Sequence, residues 1–278
     1  MLRGVRRGEG AAGGGRALTV MASPDTALLL AAHGSRFDRE VAAVTRALAA
    51  RLRATGRFAE VRAAFWREAP FWRDALAVMP APTVLVVPHF VSRGYFTETV
   101  LPRELNASVS GGRRVIFCEP VGTHPLMVEA LLRAARAAVA GAMPASTSAP
   151  VPAARETCLM IVGHGTTRHK NSAAVAREWA ARIARRRVYG ECRAVFLAEP
   201  PLARDWAALT VMPNVIVAPL FIAAGRHWRE DLPRMLGCPA SAADGPVSVS
   251  GKRLWYAKPV GGDERMVEMV MGVVNAKL

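Results

Sequence analysis

The feature that most constrains this chain is that it repeats itself. Sliding the sequence by 131 residues, the separation of His33 from His164, aligns the two halves without a gap over about seventy positions. "AAHGS" (31–35) meets "VGHGT" (162–166), and "EVRAAFWREAP" (60–70) meets "ECRAVFLAEPP" (191–201). Asp74 meets Asp205, Pro88 meets Pro219, Phe90 meets Phe221, Gly94 meets Gly225 and Pro102 meets Pro233. After a small length change, "EPVGTHPLMVEALL" (119–132) meets "KPVGGDERMVEMVM" (258–271). The chain is therefore a duplicated unit of about 120 residues. The Ala/Pro/Ser-rich stretch "GAMPASTSAPVPAARE" (141–156) carries no periodic apolar face and reads as a linker. The expected organisation is a disordered leader (1–23), a first domain (24–141), a linker (142–156) and a second domain (157–278).

Within each unit, strand-like and helix-like segments alternate. "TALLLAAH" and "TVLVVPHF" are continuous apolar runs of buried-strand length, and 39–52 repeats apolar residues at helical spacing. Alternating elements with fully apolar strands predict an α/β fold, two tandem flavodoxin-like units, each a parallel sheet with helices on both faces. In such sheets ligands sit beyond the carboxyl ends of the strands. His33, His89, His164 and the loop carrying His227 all fall at that end.

Composition excludes several classes. No run of 18 apolar residues lacks charge, so no membrane span is expected. The 20-residue start is Gly/Arg-rich without an apolar stretch, which argues against a secretory signal. Its G-x-G-x-x-G (Gly8, Gly10, Gly13) has no strand before it. "GPVSVSGKR" (245–253) has the wrong spacing for a phosphate loop, so no nucleotide is expected. Four scattered cysteines read as reduced thiols of a cytoplasmic protein. The net charge of +15 suits a polyanionic partner or a solvated Arg-rich surface. No nucleic-acid-binding signature accompanies it, which leaves a carboxylate-rich small molecule and the solvated surface as the competing readings.

"LLLAAHGSR" (28–36), "PLFIAAGRHWREDLP" (219–233) and "PVGTHPLMVEALL" (120–132) together resemble the CbiX/SirB group of sirohydrochlorin chelatases. The similarity covers most of 26–278. It implies an enzyme that inserts a divalent metal (Co2+ or Fe2+, with Ni2+ as a further candidate) into an acidic tetrapyrrole without ATP. The residues suit that chemistry. Insertion needs a labile metal site and removal of two pyrrole protons, and imidazole serves both ends. The expected metal ligands are His164 and His227, with Asp231 or Glu230 orienting the imidazole or receiving a proton. Arg226 and Arg229 are expected on the substrate carboxylates, and Trp228 on the macrocycle face.

The two halves differ where it matters most. Phe96 stands where the second half has His227, and Val100 where it has Asp231. A phenyl ring cannot ligate. The second half is therefore expected to hold the metal, and the first to grip the macrocycle with Phe96 and Tyr95. His33 with His89 is the competing metal pair. The long members of the family are instead expected to keep both histidines in the first half. The chain is expected to act as a monomer or homodimer. A non-catalytic carrier of metal or tetrapyrrole on the same scaffold is the alternative function.

Overall fold

Leu28 and Leu30 face one side of the first sheet and Leu29 and Ala31 the other, and all four are fully buried. Only a strand covered on both faces tolerates such a run. The computed structural model describes residues 25–106, 112–141, 152–166, 171–238 and 245–278. The expected leader and most of the expected linker lie outside them.

The first sheet contains β1 (Thr26–Ala32), β2 (Val61–Phe65), β3 (Thr83–Pro88) and β4 (Arg114–Phe117) in the order β2-β1-β3-β4, all parallel. The second contains β5 (Thr157–Gly163), β6 (Glu191–Phe196), β7 (Asn214–Pro219), β8 (Val247–Val249) and β9 (Lys252–Tyr256) in the order β6-β5-β7-β9-β8. The registers correspond: Leu28 lies opposite Val61 and Leu85, and Leu159 opposite Cys192 and Ile216. β8 is the one departure from a parallel sheet, pairing antiparallel with β9. It falls within the length change between the repeats. The stretch weighed as a phosphate loop is this hairpin, turning at Ser250 and Gly251, both at positive φ.

The helices are α1 (Arg39–Ala54), α2 (Trp72–Ala75), α3 (Leu101–Asn106), α4 (Met127–Gly141), α5 (Asn171–Arg185), α6 (Leu232–Leu236) and α7 (Met266–Asn275). α2 and α3 cover the outer face of the first sheet through Trp72, Leu101 and Leu105. On the second sheet, Trp206 and α6 do the same.

One arrangement does not follow from two self-contained units. α4 closes the first half in sequence, yet it packs against β7, β9 and α5 of the second. α7 closes the second half and packs against β3 and α1 of the first. The halves thus exchange their last helices, and one apolar core runs continuously from Leu85 through Leu131, Trp179 and Met269 to Ile216. Polar bonds lock the exchange. Trp179 Nε1 donates to the Gly122 carbonyl at 3.1 Å, and Arg133 Nε donates to Asp263 at 3.0 Å. Gly272 lets the two halves approach closely: a Cβ there would lie 2.2 Å from His124 Nε2 and displace that ring. His124 is thus part of the joint between the halves.

Candidate metal centre

β5 delivers His164 to its carboxyl end, and the next residue turns the chain sharply. Gly165 has φ +67°, and a Cβ would fall 2.9 Å from Phe196 Cβ, so this position requires glycine. The loop is then anchored from β6: Thr166 N–H donates to Glu199 at 2.9 Å, and Arg177 holds the other Glu199 oxygen at 3.0 Å. The first half repeats the device with Gly34 at φ +68°, Ser35, Glu68 and Arg46. The sequence reading does not single out Glu68 and Glu199. Their signal is the repeated Glu-x-Pro at the end of the second strand of each unit.

His227 comes from the loop after β7 and opens a π-helical turn, His227–Asp231. Such turns are uncommon and recur at functional sites. The His164 and His227 rings meet edge to face, centroids 4.9 Å apart at 79°, and both are exposed. Their outer nitrogens are spoken for. His164 Nδ1 lies 2.8 Å from the Gly165 carbonyl, which can only accept, so Nδ1 carries the proton. His227 Nδ1 lies 2.8 Å from Asp231 Oδ2, and Arg234 neutralises the other Asp231 oxygen at 2.7 Å. In neutral rings both Nε2 atoms then present lone pairs, the tautomer a metal ligand needs. No cluster of three His, Cys, Asp or Glu side chains suited to a metal ion occurs among the described residues. Two imidazoles leave most coordination positions open, which fits an ion that must arrive and leave.

The other candidate residues lie as follows. Glu230 pairs with Arg226 at 3.2 Å, on the exposed side of the turn. Arg229 reaches across to the first half, where it binds Asp38 at 2.9 Å and also Glu40. Asp38 caps α1, and its backbone N–H donates to Ser35 Oγ, so Arg229 ties the His227 turn to the His33 loop. Trp228 stacks on Tyr256 at 5.4 Å and donates to the Ala257 carbonyl, which commits its face to the protein.

In the first half, Phe96 occupies the place of the second imidazole. Its ring meets His33 at 5.1 Å and 79°, almost the geometry of the His164–His227 pair. Trp66 packs edge-on against both rings, and Tyr95 sits beside Phe96, part-exposed. Burial lowers the His33 pKa; the bond to the Gly34 carbonyl opposes this, and the Arg67 charge adds to it. His89 lies elsewhere. It is 2% exposed, with Nδ1 bonded to Thr45 on α1 at 2.9 Å, and burial pushes its pKa down to about 4. The fold thus holds His89 at α1 rather than in the cleft with His33. The cysteines are also committed to packing: burial raises the Cys118 and Cys192 thiols to about 12.

The duplicated parallel α/β scaffold, with a pair of exposed imidazoles at its strand ends, is similar to proteins of the chelatase class. The chain belongs to the CbiX family, whose sequence profile matches residues 27–138 and 158–276. A relative from Halobacterium salinarum named "Probable sirohydrochlorin cobaltochelatase" is 32% identical over 269 residues, covering 88% of this chain and 89% of its own. Among solved structures, a multi-domain Deinococcus radiodurans protein with structural similarity to chelatases superimposes with a TM-score of 0.71 at 27% identity. That match covers 90% of this chain, which spans only 54% of the larger protein. CbiX, described as the terminal enzyme of siroheme biosynthesis in denitrifying bacteria, superimposes with a TM-score of 0.65 at 25% identity, over 90% of this chain and 99% of its own.

Proposed function

We propose that this protein is an ATP-independent chelatase that inserts cobalt or iron into sirohydrochlorin, in cobalamin or siroheme biosynthesis. The observation that carries the reading is the His164–His227 pair, with both Nδ1 atoms tied back and both Nε2 atoms open. The divalent ion is a substrate, held by these two nitrogens and otherwise by exchangeable ligands. The stoichiometry then closes simply. As the ion passes to the pyrrole nitrogens, each imidazole loses one bond to metal and regains a lone pair. Two pyrrole N–H protons must leave, and two Nε2 atoms stand ready to take them. Asp231 stabilises the imidazolium formed at His227. The first half presents Phe96 and Tyr95 as apolar surface to the macrocycle. We place the reaction in the cytoplasm, on a single chain whose two halves form the cleft.

The test is an anaerobic absorbance time course with sirohydrochlorin and Co2+ or Fe2+. Wild-type protein is expected to accelerate insertion, and His164→Ala and His227→Ala to abolish the acceleration while still binding pigment. Undiminished rates in both variants would place the metal elsewhere. A one-equivalent spectral shift without turnover in wild-type protein would make it a carrier.

A further inference from the structure

The first half lacks the second imidazole, but it carries Arg36 and Arg67 at positions where the second half has uncharged residues. Beside the His33 cluster lies a cavity of about 160 Å3 whose wall includes Arg36, Trp66, Arg67, Arg73 and Glu104. At the positions equivalent to Arg36 and Arg67 the second half has Thr167 and Ala198; only Arg73 has a counterpart, Arg204. Glu104 is paired with Arg103 at 3.3 Å, and Arg73 has Asp74 within 3.9 Å. Arg36 and Arg67 have no carboxylate partner among the described residues. Arg67 is nonetheless fixed, with its guanidinium carbon 3.9 Å above the Trp66 ring. A guanidinium held by its face keeps its edge N–H donors for an oxyanion.

The pocket shares Trp66 with the His33 cluster. Trp66, which carries Arg67, is the same ring that packs on His33 and Phe96 at 5.2 and 4.8 Å. Arg36 follows the His33 loop directly, and that loop is held rigid: Phe37 and Asp38 N–H both donate to Ser35 Oγ, and Arg229 clamps Asp38. Phe37, beside Arg36, is 99% exposed on this braced loop, so an apolar ring accompanies the cations.

We infer that Arg36 and Arg67, with Arg73 on the same wall, form a subsite for the carboxylate side chains of the macrocycle, beside the His33–Phe96 pair of the first half. Resting on the chelatase reading, this assigns the halves different substrates: the second binds the metal and the first the anionic edge of the pigment. The duplicated scaffold thereby orients an otherwise near-symmetric ring.

The test is titration of metal-free sirohydrochlorin into the full-length protein, followed by the pigment's absorbance, alongside a separate Co2+ titration without pigment. The double variant Arg36→Ala/Arg67→Ala is expected to bind pigment about 10- to 100-fold more weakly, with a shallower dependence on salt. Its Co2+ affinity should be unchanged, a result that misfolding would not give. Arg67→Lys should recover part of the loss through charge alone. Wild-type pigment affinity in the double variant would overturn the subsite while leaving the chelatase reading intact. Absence of pigment binding by the wild-type protein would overturn both.

Discussion

Under the proposed function, Asp231 acts on the metal only through His227. Its carboxylate fixes the proton of His227 on Nδ1 and is itself held by Arg234. Removing such a partner commonly costs 10- to 100-fold in metal affinity. Asp231→Ala should therefore weaken Co2+ binding by about that factor while sparing pigment binding, and a direct metal titration checks it. His89 tests a different property. Its pKa of about 4 lies below the ordinary 6.5, so between these values the unfolded chain holds a proton that the folded chain lacks. More protons bound by the unfolded state means stability that rises with pH, fully present above about 6.5 and lost as pH falls toward 4. For this fully buried ring, the loss from pH 7.5 to pH 5 is about 2 kcal/mol. Its Nε2 also has no hydrogen-bond partner among the described residues. The second half replaces Thr45 and His89 by Ala176 and Leu220, which shows that the scaffold accepts an apolar pair here. Thr45→Ala/His89→Leu should flatten the acid limb of urea stability by about 2 kcal/mol. A limb as steep as in the wild type would assign it to other groups.

At the scale of elements, the two π-helical turns, Phe96–Val100 and His227–Asp231, are the same device carrying different chemistry. The repeat offset predicts their equivalence from residues alone; the alternation of apolar strands with helices predicts the parallel sheets and strand-end histidines, and the family resemblance the His164–His227 pairing. Other features were not legible for physical reasons. Glu230 and Asp231 are adjacent acids, and only the turn geometry aims one at His227 and the other at Arg226. Arg229 reads as a free cation because its partners, Asp38 and Glu40, lie about 190 residues away in the chain. His89 reads as a cleft ligand because a strand end has two sides, and sequence does not say which one its ring takes. The conserved ring geometry yields a further test. Since His33 and Phe96 already stand 5.1 Å apart at the angle of the true pair, Phe96→His should create a second imidazole pair. Equilibrium titration should then show two Co2+ equivalents per chain instead of one. The second should be weaker, because Val100 leaves the new ring without a carboxylate. A single equivalent would mean that Trp66, where the second half has Leu197, closes the position to metal.

For the whole molecule, the exchange of α4 and α7 decides what counts as a folding unit. The repeat suggests two domains joined by a linker, but each sheet lacks a helix that only the other half supplies. α7 buries Met266, Met269, Val270, Val273 and Val274, all at most 5% exposed, in the core it shares with the first half. Each such side chain contributes about 1.5–3 kcal/mol on burial. Withholding the helix from its site therefore forfeits roughly 7–15 kcal/mol, comparable with the whole stability of an ordinary domain. The same holds for α4, which brings Met127, Leu131 and Leu132 to the second sheet. Residues 24–141 and 157–278 produced separately should thus yield no folded monomer. Each should aggregate or self-associate by exchanging the helix between copies, and neither should melt cooperatively as a single chain. Refolded together, they should form a one-to-one complex, because the exchange is satisfied without the connecting segment. Size-exclusion chromatography and thermal melting of each fragment and of the mixture decide the matter. A monomeric, cooperatively melting fragment would show that a sheet can dispense with its borrowed helix. Failure of the mixture to recombine would show that the covalent joint, by raising the local concentration of each helix at the opposite sheet, is what makes the exchange possible.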